Sequence, residues 1–274
     1  MTVGIAWLGE RSDGRQHLFF ASDSRVRGGQ YLDVCPKVMA LPRSDCAICF
    51  AGDTGAAYPL MIQMANAISA HQPTRERALD ITRVKDHLLR VFTDVVRHIQ
   101  TAPDPFVQRD AEFLFGGYSW LRGNFALWTI QYSPRARAFF AREAKTFHPR
   151  LQKAAFVGDW GTRLRGKLLQ ELNRTLTGGP TYLAPLRILA DLVGAAGPSD
   201  SIGGAPQLLR VTKHMNTQPL CVKWGTPAKV TLFGRPLFDY ENCDYWVVDP
   251  ISEFFTRPRK FGHRDEDEQP SGGS

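Results

Sequence analysis

The spacing of apolar residues switches between a strand period and a helix period along the chain, and this switching limits the possible folds more than any other feature. Up to residue 51 the apolar residues come in short runs broken by turn compositions. TVGIAWLGE and HLFFASDSRV flank RSDGRQ, whose Asp13-Gly14 is a hairpin signal, so these runs are expected to pair antiparallel. YLDVCPKVMAL and CAICFAG, separated by Pro42-Arg43-Ser44-Asp45, are expected to form a second hairpin. Beyond Gly52-Asp53-Thr54-Gly55, AAYPLMIQMANAISA and RALDITRVKDHLLRVFTDVVRHIQ repeat at i, i+3, i+4 and i+7, which predicts two amphipathic helices ended by TAPDP. Strand patterns return in EFLFGGYSWL, NFALWTIQYS and RAFFAREA. After AAFVG, GTRLRGKLLQELNRTL and PLRILADLVGAA read as helices, and APQLLRVTKH with a run around LCVKWG as a last sheet portion. Hairpins segregated from helix pairs indicate an α+β class, antiparallel sheets with helices on their outer faces.

No linker divides residues 2–256, which read as one domain with a C-terminal extension from about residue 214. Within it, the aromatic-rich stretch 228–255 resists classification. Residues 257–274, charged and ending in Gly and Ser, read as a mobile tail. At 274 residues and 43% hydrophobic content the chain can bury a sizeable core. The net charge of +7 is scattered rather than gathered with aromatics on one surface, so no nucleic-acid partner is expected. Five cysteines, an odd number, with no charged and apolar leader, point to a reducing cytoplasm. No run approaches about 20 apolar residues, so no membrane span is expected. Cys46 and Cys49 form a C-x-x-C, but inside a strand residues i and i+3 face opposite ways and cannot share a ligand. His87 and His98 lack metal-ligand spacing. Neither a metal nor an organic cofactor is expected.

The second residue, Thr2, stands directly before the first strand. Once Met1 is removed it carries a hydroxyl nucleophile and a free α-amine, its own base, on one residue. The plain alternative is a small residue that merely tolerates Met removal. Three later groups bear on the choice: Asp23-Ser24-Arg25 at the end of the second run, Lys37 on the third, and Ala51-Gly52 after the fourth. This order resembles the β-type subunits of the proteasome and the related bacterial ATPase-gated peptidase, within the N-terminal nucleophile hydrolase superfamily. FLFGGYSW and DSIGGAPQLLRV are similar to later segments of that family, so the resemblance covers roughly residues 2–213. It implies a four-layer αββα sandwich and a threonine-type peptidase acting on peptides or unfolded proteins. It further implies self-association into rings or related assemblies, with a possible ATPase partner.

The residues also carry the chemistry by themselves. Lys37 would disfavour protonation of a nearby amine and favour a developing alkoxide, while Asp23 would hold Lys37 in place. A structural ion pair is the alternative. The Gly52 N–H stands where the family keeps an oxyanion donor, the alternative being a turn glycine. Asp200 and Ser201 resemble the acid and hydroxyl that assist the amine, with their register open by one or two residues. The first hairpin is longer than the family pattern. More seriously, VGDWG offers Asp159 where a Ser is common, and a carboxylate there would stabilise the ammonium and weaken the base. By the same match Val26, Cys35, Met39, Phe50 and Thr54 would line a mostly apolar specificity pocket favouring apolar or aromatic side chains. A catalytically silent subunit and an amidase or acylase for small amides are the alternatives to a peptidase.

Overall fold

The structure, a computed structural model, describes residues 2–257 apart from 12, 29, 99–110, 175–181 and 242. The first hairpin forms as expected: β1 (Gly4–Glu10) and β2 (Gln16–Ser22) pair from Gly4↔Ser22 to Glu10↔Gln16, around a turn that needs the positive φ of Gly14, +76°. A small hairpin of β3 (Val26–Gly28) and β4 (Gln30–Leu32) adds to the expected elements. Pro36, with no N–H for a ladder, interrupts the run expected from Tyr31 to Leu41. Only β5 (Val38–Ala40) remains to pair with β6 (Cys46–Ala51).

Helix α1 (Thr54–Ala70) begins where the Asp53 carboxylate accepts from the Gly55 and Ala56 N–H groups. A single turn, α2 (Gln72–Arg75), leads to α3 (Ile81–Arg97), capped by Asp80, whose Ile81, Val84, Leu88, Phe92 and Val96 form a buried stripe. The TAPDP expected to end α3 lies outside the described residues. β7 (Glu112–Ser119), β8 (Asn124–Ser133) and β9 (Ala138–Glu143) form a meander. β10 (Thr146–His148) and β11 (Leu151–Val157) come next, then α4 (Gly161–Arg174) and α5 (Ala184–Gly194). The chain continues through β12 (Gln207–Thr212), β13 (Thr217–Trp224), β14 (Lys229–Leu232), β15 (Arg235–Pro236), β16 (Val247–Asp249) and β17 (Phe254–Thr256).

Two sheets face each other. One runs β10-β11-β1-β2-β12-β13-β14-β15, with β16 joined to β13 and β17 to β16; the other runs β5-β6-β7-β8-β9. Between them lies a core that includes Ala6, Leu8, Leu18, Phe20, Val38, Cys49, Leu114 and Leu127. The alternate residues of β1 and β2, namely Ile5, Trp7, Phe19 and Ala21, join a second core with α4 and α5. A third core joins Ile48, Phe50, Phe113 and Phe115 to α1 and α3. The period of two therefore buries both faces of these strands, at about 1.5–3 kcal/mol for each large apolar side chain. Cys46 belongs to the core beside α1 and α3 and Cys49 to the core between the sheets, on opposite faces as the strand reading required.

The expected four-layer αββα sandwich is corrected by this architecture. The molecule is mainly antiparallel sheet, 37% strand to 27% helix, with five helices among the described residues, and these helices pack over part of the sheets rather than covering them as full outer layers. The difference arises in the C-terminal extension. Its strands are two to eight residues long, too short for most of them to show a period-two signal, yet they carry the larger sheet onward through β14 and β15, which contribute nothing to the core beneath α4 and α5. The extension does not stand apart, since β13 pairs with β12 and Cys221 Sγ lies 2.8 Å from Cys243 Sγ. Residues 258–274 of the expected tail lie outside the described residues. Among the described residues no helix is long and apolar enough to cross a membrane.

Candidate active site

The register Gly4↔Ser22 brings Thr2, two residues before β1, near Asp23, the residue just after β2. Lys37, immediately before β5, reaches them from the facing sheet. All three are buried, at 1%, 0% and 1% exposure. Lys37 Nζ donates to Asp23 Oδ1 at 2.8 Å and also to Thr2 Oγ, whose hydroxyl in turn donates to Asp23 Oδ1. The Asp23 carboxylate is fully engaged. Oδ1 also accepts from the Val3 N–H at 3.3 Å, and Oδ2 from the N–H groups of Arg25 at 3.0 Å and Gly203 at 3.1 Å. A buried charge so surrounded is fixed in place, and the Thr2 oxygen sits between a cation and an anion.

Gln207, which the sequence reading missed, organises this end of the sheets. It opens β12 opposite Ser22, and its Oε1 accepts from the N–H of Lys37 at 2.8 Å and of Val38 at 3.3 Å. Its Nε2 donates to the carbonyl of Cys35 at 2.6 Å and to Ser24 Oγ at 2.9 Å. One buried amide thus ties β12 to the approach of Lys37. The available signal was a polar residue heading an apolar strand, a position that demands partners. Ser22, also missed, donates to the Val3 carbonyl at 2.7 Å and steadies the start of β1.

Asp159 reaches the other atom that matters. Its Oδ1 accepts from the Thr2 N–H at 2.7 Å, and its Oδ2 from the Ser201 hydroxyl at 2.7 Å. The turn that carries it is possible only with Gly158, at φ +87°, where a Cβ would come within 2.1 Å of the Thr2 carbonyl oxygen. The Gly158 N–H donates to Glu112 Oε2 at 3.0 Å, which anchors the turn to the start of β7. Asp200 is not brought to this group. Its carboxylate accepts from the Gly197 N–H at 2.6 Å and closes its own turn, so of the pair only Ser201 joins the cluster.

A cavity of about 210 Å³ opens over Lys37, lined by Arg25, Val26, Arg27, Gly52, Asp53 and Thr54. Gly52 follows the last residue of β6 with φ +109°, a conformation that favours glycine. Of the five residues expected in a specificity pocket, Val26 and Thr54 line this cavity. Phe50 is placed elsewhere, wholly buried in the core beside α1 and α3, and Met39 packs against the same core. Cys35 is half-buried and donates its N–H to the Ser24 carbonyl at 3.0 Å. The expected apolar lining is corrected as well: two arginines, the lysine and an aspartate border the space. Behind its wall the Cys49 thiol is pushed up to about 12 by burial, which makes it an inert packing group. No protein-family model matches the chain, and no curated protein matches it.

Proposed function

We propose that the protein is a threonine-type peptidase of the N-terminal nucleophile class, with Thr2 as the attacking residue after removal of Met1. The observation that carries this reading is the Thr2 hydroxyl bonded at once to Lys37 and Asp23, beside a cavity bordered by Lys37 and Gly52. In the proposed reaction the α-amine takes the hydroxyl proton, Oγ attacks the amide carbonyl, and the Gly52 N–H receives the oxyanion. Collapse expels the leaving amine with that proton and leaves an acyl ester on Thr2, which water hydrolyses. Lys37 stabilises the alkoxide and Asp23 holds Lys37. Peptides or unfolded proteins in the cytoplasm are the proposed substrates, in a ring or related homo-oligomer with a possible ATPase partner. The exposed Phe238, Tyr240, Ile251 and Phe254 of the extension suit a subunit contact. Native mass measurement that finds only monomer at micromolar concentration would contradict the assembly.

The test is a screen of peptides and small acyl amides with protein whose loss of Met1 is verified by intact mass. Hydrolysis of peptides by wild type and not by Thr2→Ala supports the reading; hydrolysis of acyl amides alone favours an amidase; hydrolysis of neither favours a silent subunit. One contact specifically favours the silent alternative. The Asp159 carboxylate at the Thr2 nitrogen stabilises an ammonium and weakens the base. An active enzyme should therefore lose rate as pH falls and the amine takes up its proton. Asp159→Asn should move the midpoint of that loss downward by about one pH unit, and an unchanged profile would show that Asp159 does not act on the amine.

A further inference from the structure

The wall of the cavity carries three cations, Arg25, Arg27 and Lys37, and one carboxylate, Asp53, and the cations differ in how they are paired. Arg25 is answered by Asp33, which takes its Nε at 2.7 Å and Nη2 at 2.9 Å, and Lys37 by Asp23. Asp53, also on the wall, is committed to the start of α1, where its Oδ1 accepts from the N–H groups of Gly55 at 2.5 Å and Ala56 at 3.3 Å. Arg27 is different. Its Nη1 donates to the Ser199 carbonyl at 2.7 Å, and among the described residues it has no carboxylate partner. That carbonyl fixes one end of the guanidinium and leaves donors of a planar fork that suits a carboxylate. β3 and β4 hold Arg27 opposite Tyr31, so it is presented from a paired strand rather than a free loop.

We propose that this cavity selects substrates with a carboxylate on the side chain next to the scissile amide, aspartyl or glutamyl rather than apolar, and that Arg27 is the residue that selects them. The inference rests on the nucleophile reading for the position of the bond to be cut. A space of about 210 Å³ is ample for an acidic side chain. A carboxylate entering it meets a cation with no carboxylate partner, Arg27, whereas a leucyl or phenylalanyl side chain would strip water from charged groups of the wall without replacing their hydrogen bonds. Since Arg27 is solvent-exposed, the preference should weaken as salt is raised.

The experiment has two arms. In the first, Met1-free wild type is given matched peptide amides that differ only in Glu, Gln, Leu or Lys before the cleaved bond. kcat/KM for Glu should exceed that for Gln by about tenfold or more, Arg27→Gln should bring the ratio close to one, and Arg27→Lys should restore part of it. Equal rates for Glu and Gln, or a preference for Leu, overturn the inference while the nucleophile reading stands. In the second arm, binding of the Glu and Gln peptides to Thr2→Ala is measured by calorimetry. Tighter binding of the Glu peptide that Arg27→Gln abolishes supports the selection even if wild type cleaves nothing, in which case it is the nucleophile reading that fails. Equal binding of the two peptides to Thr2→Ala overturns the inference.

Discussion

Two of the buried ionic clusters among the described residues, one around Arg43 and Asp45 and one around Lys37 and Asp23, differ in what they leave over for chemistry. Arg43 and Asp45 are wholly buried and doubly bonded, at 2.6 and 2.5 Å, and the remaining Arg43 donors reach the carbonyls of Thr74 at 2.8 Å and Leu79 at 3.0 Å. Asp80 nearby caps α3 and takes the Ser119 hydroxyl and the Leu121 N–H. Every group there is consumed in joining the α2 region and the start of α3 to the sheet. Lys37 and Asp23 are buried to the same degree, but they enclose the hydroxyl of Thr2, and Lys37 borders a cavity. Burial of an ion pair alone thus marks neither a site nor a large stabilisation. The presence of a nucleophilic oxygen inside the pair distinguishes one cluster from the other.

Breaking each pair should therefore cost stability alike and activity differently. Lys37→Met and Asp45→Ala each strand a buried charge and should cost about 3–5 kcal/mol in urea unfolding. Only Lys37→Met should also remove at least about 10²-fold from the rate per folded molecule, as loss of a charge-stabilising donor does. If Asp45→Ala lowers that rate equally, the distinction between the clusters collapses. Gly158→Ala probes the nucleophile side alone: its methyl group would collide with the Thr2 carbonyl, at a conformation costing about 1–3 kcal/mol. Shifting Thr2 by about an ångström should cost about 10²-fold in rate; full activity would show that the close approach is not needed.

The smallest effect concerns acid stability in the structural cluster. Burial opposes the charge of Asp80, but hydrogen bonds from Thr82, Leu121 and Ser119 outweigh it and hold its carboxyl below the usual value of 3.8. Because the folded pKa is the lower one, the stability it contributes is present above pH 3.8 and is lost as pH falls through the folded value. Asp80→Asn should flatten that part of the acid unfolding curve relative to wild type, and parallel curves would contradict the assignment.

Legibility in the sequence depended on distance along the chain. Thr2 and Asp23 flank a single hairpin, so the Asp13-Gly14 turn and the apolar alternation are enough to set them side by side. Asp159 and Ser201 stand out as residue types, but nothing in either segment says that the two bond to each other across 42 residues. Asp200, adjacent to Ser201, reads equally well as a partner of the amine, because spacing cannot tell a side chain that points to the cluster from one that closes its own turn. Gln207 acts on Lys37 across 170 residues, a relation only the sheet order supplies. The pocket lining differs from expectation for the same reason. Phe50 and Val26 belong to strands of different sheets, and only the folded chain shows that Phe50 faces the helices while Arg27 of β3 lines the cavity. The covering of the sheets by helix pairs failed where short strands gave no periodic signal.

The central claim is tested most directly by exposing protein lacking Met1 to an electrophile that closes a ring with the hydroxyl and amine of one residue, then weighing the N-terminal peptide. Stoichiometric addition at Thr2, prevented by Lys37→Met while that variant remains folded, is the predicted result. Processed, folded protein that stays unmodified at Thr2 would contradict it.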